Sequence, residues 1–222
     1  MSSGKPCYLC RGKATTKDHV PPKCFFPVPR PNNLIAVPAC KKCNHSWSGI
    51  DSAFRDFVIC HADNNAAAKQ VIAKVFSPNN TCHRSFRDLA SSIRDVKVKT
   101  TLGNSIAMPV LSFDSKNGDA FLARITKGLL YKYRRDMWDK GPGDFYAAAL
   151  SGPNSLEMSR IPNLKPLVTS LQYHVLGDGV FRFGNVTPSD SNRMSIWVYW
   201  FYDAAPFIVY HAVDSLGLPR TT

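Results

Sequence analysis

Cys7-Tyr8-Leu9-Cys10 and Cys40-Lys41-Lys42-Cys43-Asn44, with Asp18-His19-Val20-Pro21-Pro22 between them, decide how this chain is read. Each Cys-x2-Cys pair can offer two thiolates to one ion, and four sulfurs in a tetrahedron make a closed structural zinc site. The pairs are separated by 29 residues, longer than the spacing of a simple zinc ribbon. Zinc would therefore close a long loop, with room in it for other chemistry. Gly12, just after the second ligand, is expected to supply the positive φ of the first knuckle.

Within the loop, Asp18-His19 follows the short polar run Lys13–Lys17. An imidazole titrates near neutrality, so it can take a proton from water and later release it. An isolated Asp-His pair is more often structural; its position inside a metal-closed loop favours a functional role. Phe26-Pro27-Val28-Pro29-Arg30-Pro31-Asn32-Asn33-Leu34 is too rich in proline for a helix. A short strand over Leu34–Val37 should lead into Cys40. After Cys43, apolar residues at 50, 54, 57 and 58 have helical spacing. The expected order is knuckle, strand carrying Asp-His, loop, strand, knuckle, helix.

That order and those residues resemble the HNH endonuclease family, whose ββα-metal site is often embedded in a four-cysteine zinc-binding treble clef. The resemblance covers about residues 5–60. It implies that His19 is the general base activating water, and that Asp18 and Asn44 hold a catalytic divalent cation. Asn33, with Asn32 beside it, is the nearest match to the asparagine that orients the histidine. Ser48 stands where some relatives have a second histidine. Oxygen ligands from an acid and an amide suit Mg²⁺ or Mn²⁺ better than zinc. Zinc on Cys7, Cys10, Cys40 and Cys43 would then be structural only. Lys23, Arg30, Lys41 and Lys42 flank this set and are candidates for phosphate contacts.

Global composition agrees with such a partner. The chain has 222 residues and a formal charge of +12. Residues 1–60 hold nine basic and three acidic side chains, 9 − 3 = +6, so half the excess lies in about a quarter of the chain. A polyanion, most naturally double-stranded DNA, is the expected partner, against the plainer reading of a solubilising surface. An apolar content of 44% supports a sizeable core. No signal-like or membrane-spanning stretch is evident and the cysteines outside the two pairs show no pairing pattern, so a cytoplasmic protein without a membrane partner is expected.

The remainder, 61–222, is expected to form an α+β domain of unassigned role beside the nuclease-like module, 1–60. Helical spacing covers Ala66–Phe76 and Phe86–Val96. Cys60-His61 and Cys82-His83 lack the spacing of metal ligands. The clearest amphipathic helix spans 119–135, with Phe121, Leu122, Ile125, Leu129 and Tyr133 inward and Arg124, Lys127, Arg134 and Arg135 outward. Gly177-Asp178-Gly179 reads as a hairpin turn, Ile196–Tyr202 as a central strand and Phe207–Val213 as its neighbour. The function expected from the whole is metal-dependent DNA phosphodiester hydrolysis. An RNase using the same site, or a non-catalytic zinc-stabilised nucleic-acid-binding protein, are the alternatives.

Overall fold

The computed structural model describes residues 4–213, apart from 63, 76, 78–86, 88–89, 100–103, 112, 142, 151–167 and 188–192. Its N-terminal part pairs β1 (Thr16–Val20) antiparallel with β2 (Ile35–Ala39). A single 3-10 turn, Lys23–Phe25, lies in the proline-rich connection. The short helix α1 (Lys41–His45) and the longer α2 (Ser48–Ile59) follow, matching the order expected from the sequence. The second strand begins one residue later than expected and runs on to Ala39. Helix α3 (Ala66–Val75) also forms where periodicity placed it.

Residues 93–96, expected to close a helix, instead open the strand β3 (Ile93–Lys99), paired antiparallel with β4 (Ser105–Leu111). Val96 and Val98 are β-branched and alternate with charged residues, so the strand period wins over the helical one. The remainder of that expected helix, and Cys82-His83, lie largely or wholly outside the described residues.

Helix α4 (Ser115–Tyr133) begins at Asp114, whose carboxylate accepts the Lys116 N–H at 3.0 Å. It ends at Arg134, whose φ of −134° and ψ of 57° separate it from α5 (Arg135–Lys140). The other strands are β5 (Asp144–Ala149), β6 (His174–Leu176), β7 (Phe181–Val186), β8 (Met194–Phe201) and β9 (Ala205–Ala212). They form one antiparallel sheet in the order β5-β9-β8-β7-β6, with β8 inside it as expected. Gly177, Asp178 and Gly179 all take positive φ, as the turn between β6 and β7 requires.

Helix α4 lies between the zinc-type module and this sheet, and is buried over more than one face. On the module side Gly128 meets β1: a Cβ there would sit 2.5 Å from Val20 Cγ2, so only glycine permits this approach. Phe25, Phe54, Phe121 and Phe201 stack through the centre, with Phe54 and Phe121 centroids 4.1 Å apart. One hydrophobic core therefore runs from the Cys7 knuckle to β9. Among the described residues no helix is long and apolar enough to cross a membrane.

Candidate functional site

The two knuckles bring Cys7, Cys10, Cys40 and Cys43 together, with all four sulfurs within 4.8 Å of one another. Cys10 Sγ and Cys40 Sγ are 3.8 Å apart. A tetrahedron with metal–sulfur bonds of about 2.3 Å has edges of about 3.8 Å, so the set fits one zinc-sized ion. The first knuckle closes through Arg11 N–H to the Cys7 carbonyl, 2.9 Å, and Cys7 N–H to the Gly12 carbonyl, 2.7 Å. The left-handed residue is Arg11, φ 63°, rather than Gly12. Arg11 is held there by carbonyls of Trp138 and Asp139 and by its place 4.6 Å over the Trp138 ring. In the second knuckle the Cys43 N–H donates to Cys40 Sγ at 3.4 Å, which lowers the Cys40 thiol to about 7. Tyr8 N–H to the Pro38 carbonyl, 2.9 Å, and Thr15 N–H to the Ala39 carbonyl, 3.0 Å, tie the cluster to the hairpin.

Strand alternation sends Asp18 and His19 to opposite faces of β1. Asp18 faces inward. Its Oδ2 accepts from Tyr8 Oη and from Arg124 Nη2, both at 2.7 Å, and its Oδ1 accepts the His19 N–H at 2.8 Å. Arg124 also donates through Nη1 to Asp51 of α2 and through Nε to Tyr8 Oη at 3.1 Å, while its guanidinium lies 5.3 Å over the Trp47 ring. One buried guanidinium thus gathers the knuckle, β1, the junction before α2, and α2 itself. Arg124, expected on an outward basic face, is 2% exposed. An ion on Oδ2 of Asp18 would have to displace Arg124, whereas among the described residues Oδ1 accepts only the His19 N–H.

His19 is half-buried on the outward face. Burial, then the charges of Lys23, Arg30 and Lys17, hold its imidazole below the ordinary histidine value, against the opposing pull of Asp18. It is a neutral base set in a cationic rim. Asn44 uses its amide nitrogen to reach Thr16 Oγ1 and the Lys17 carbonyl, each at 3.2 Å, and among the described residues no hydrogen bond engages Oδ1. This places Asn44 against the same strand as His19, two residues from it and therefore about 7 Å along the chain. The Asn33 amide donates to the Val175 carbonyl at 3.3 Å. Lys23, Arg30, Lys41 and Lys42 are all exposed, the first two beside His19 and the others on α1. Ser48, at the start of α2, is exposed as well. The outward cations of the central helix region are engaged within the protein: Lys127 lies 5.1 Å over the Phe145 ring, Arg134 pairs with Asp136 and Arg135 with Asp139.

Sequence reasoning missed Tyr8, Asp51 and above all Arg124. The available signal was position: Arg124 is three residues after Phe121 and four before Gly128, on the stripe that faces the module. Compared with known proteins, the chain matches no family model, no curated protein and no solved structure.

Proposed function

We propose that the chain is a nucleic-acid phosphodiester hydrolase of the HNH kind, with His19 as its base. The observation that carries this reading is a neutral, half-buried imidazole on a hairpin closed by four cysteines, rimmed by Lys17, Lys23 and Arg30. In the reaction His19 takes a proton from water, the water oxygen attacks phosphorus, and the bond to the 3′ oxygen breaks, that oxygen leaving with a proton from solvent. The three cations bind the phosphate and oppose the charge that builds on its oxygens. DNA is the substrate the resemblance favours.

The resemblance also calls for Mg²⁺ or Mn²⁺ held by Asp18 and Asn44. Asn44 Oδ1 is suitable, but Asp18 is committed to Arg124. No step above is routed through an ion. Asp18 instead acts as a positioning residue: it accepts the backbone N–H of His19 while pinned from behind.

The engaged Asp18 favours a second reading, a zinc-stabilised nucleic-acid-binding module without catalysis. Plasmid nicking by the full chain, with Mg²⁺, with Mn²⁺ and with chelator, separates the two when wild type is compared with His19→Ala. Nicking lost in that variant with DNA binding retained supports the hydrolase; wild-type binding without cleavage under every condition overturns it. Parallel digestion of RNA decides between the nucleic acids.

A further inference from the structure

Beside His19 the 3-10 turn, α2, α3 and the proline-rich connection enclose a cavity of about 380 Å³. That volume lies at the small end of the roughly 300–1,000 Å³ range of ligand pockets. Among the described residues four cations line it, Lys23, Arg30, Arg55 and Lys74, and no acidic residue does. Arg55 is paired with Asp56 at 2.5 Å, and Lys23 and Arg30 are exposed at the cavity. Lys23 and Arg30 also depress the basicity of His19, so cavity and imidazole share one electrostatic field. Apolar side chains share the lining, with Phe26, Val28 and Val71. Val28 is 62% exposed.

A site that joins fixed positive charge to an apolar wall suits a ligand that is anionic at one end and flat and apolar at the other. Inorganic phosphate uses only half of it. A nucleotide uses both, its phosphate against the cations and its base against the aliphatic wall. We propose that this cavity receives one nucleotide unit of the substrate strand, turned out of the stack beside the phosphate that faces His19. Burial pushes the Cys24 thiol up to about 12, so the sulfur in this wall is a neutral thiol and the cavity binds rather than reacts. The proposal rests on the hydrolase reading for the identity of the strand, but its test reads binding alone.

Calorimetric titration of the full chain with deoxyadenosine monophosphate, deoxyadenosine and inorganic phosphate provides that test. The nucleotide is expected to bind at least about tenfold more tightly than either fragment. Lys74→Glu, on an exposed helical position, should weaken it by about tenfold, since a favourable charge becomes a repulsive one. Gln70→Trp, also exposed, should block the cavity, and His19→Ala should leave binding unchanged. A single-stranded oligonucleotide carrying 2-aminopurine should brighten on binding wild type and not on binding Gln70→Trp. Phosphate alone binding as tightly as the nucleotide would reduce the cavity to an anion site and overturn the proposal, as would nucleotide binding that neither exposed substitution alters. Mononucleotide binding without brightening of the oligonucleotide would overturn the assignment to the strand. Binding retained without cleavage sinks only the hydrolase reading; cleavage retained without binding sinks only this one.

Discussion

Helix α4 is held on its two sides by different physics. Toward the sheet it meets a layer of aromatic and aliphatic side chains, with a hydroxyl contact, Thr126 to Tyr199 Oη at 2.7 Å. Toward the zinc-type module it presents Arg124, which engages two carboxylates and a phenol. Apolar packing is non-directional and tolerates small repacking. A buried guanidinium with fixed acceptors does not, and it sets the angle at which β1 meets the helix. The side that must be placed accurately, because it carries His19, is the side with the directional contacts.

Metal removal should break this comparison most severely. Apparent binding free energies of structural zinc sites run to about 10–16 kcal/mol, and here that energy closes a loop containing both hairpin strands. Chelation, or Cys43→Ser, should therefore release the hairpin. Amide hydrogen exchange is the measurement: β1 and β2 should lose protection while β7, β8 and β9 keep theirs. Equal loss in both regions would mean that the shared core makes one cooperative unit and that the contrast has no energetic meaning.

Next in size is the loss of the guanidinium itself. Arg124→Ala leaves two buried carboxylates without a partner and should cost about 3–5 kcal/mol in denaturant unfolding. The sharper comparison uses conservative replacements. Arg124→Lys cannot serve Asp18, Asp51 and Tyr8 together and should remain costly, near about 3 kcal/mol. On the sheet side Phe201→Leu, on β8, keeps the apolar surface roughly filled and should cost less than about 1.5 kcal/mol. If both conservative changes cost the same, the two sides of the helix are not held differently.

Why one side was legible in the sequence and the other was not follows from the same distinction. Period-two alternation, the Gly177-Asp178-Gly179 turn and the stripe Phe121-Leu122-Ile125-Leu129 are local patterns, and each formed as the pattern required. The cysteine pairs were legible because metal ligation fixes spacing. Arg124 was not, because a charged residue in an amphipathic helix is outward by default, and only the distant Asp18, Asp51 and Tyr8 make its burial tolerable. For Asp18, adjacency to His19 suggested a shared site, whereas strand geometry separates neighbours to opposite faces. The partner of Asn33 was not legible either: Val175 lies in a part of the chain no local pattern connects to it.

The two sides should also answer pH with opposite signs. On the sheet side His211 is buried, among the described residues its Nε2 has no hydrogen-bond partner, and burial lowers its pKa from 6.5 to about 4. Its neutral form belongs to the fold, so its contribution is present above pH 6.5 and is lost as pH falls from there to about 4. The full effect is up to about 3 kcal/mol. On the module side burial raises Asp51 from 3.8 to about 6 against the pull of Arg124. A raised carboxyl contributes most below its unfolded value, and that contribution is lost as pH rises through about 6. Thermal melting across pH 4–8 is the measurement: over the shared window of about pH 4–6 the two contributions oppose, so His211→Gln should remove the rise of stability with pH there and Asp51→Asn should steepen it. A slope that neither substitution changes would place the titration elsewhere.

The smallest expected effect isolates a single hydroxyl. Tyr8 lies between two of the cysteine ligands, and its Oη donates to Asp18 while accepting from Arg124. Tyr8→Phe keeps the ring in the core but removes both contacts, leaving the Arg124 Nε–H buried without an acceptor. The cost should be about 1–2 kcal/mol, the penalty of one unsatisfied buried donor with little change in packing. Its consequence for the site should exceed its consequence for stability, because Asp18 also accepts the His19 N–H. If Asp18 positions the imidazole, Tyr8→Phe should lower the rate of plasmid nicking at saturating DNA while leaving DNA affinity intact. If Asp18 were a cation ligand instead, the same substitution would raise the Mg²⁺ concentration needed for half-maximal rate. A Mg²⁺ titration of wild type against Tyr8→Phe distinguishes a carboxylate that aims its neighbour from one that holds an ion.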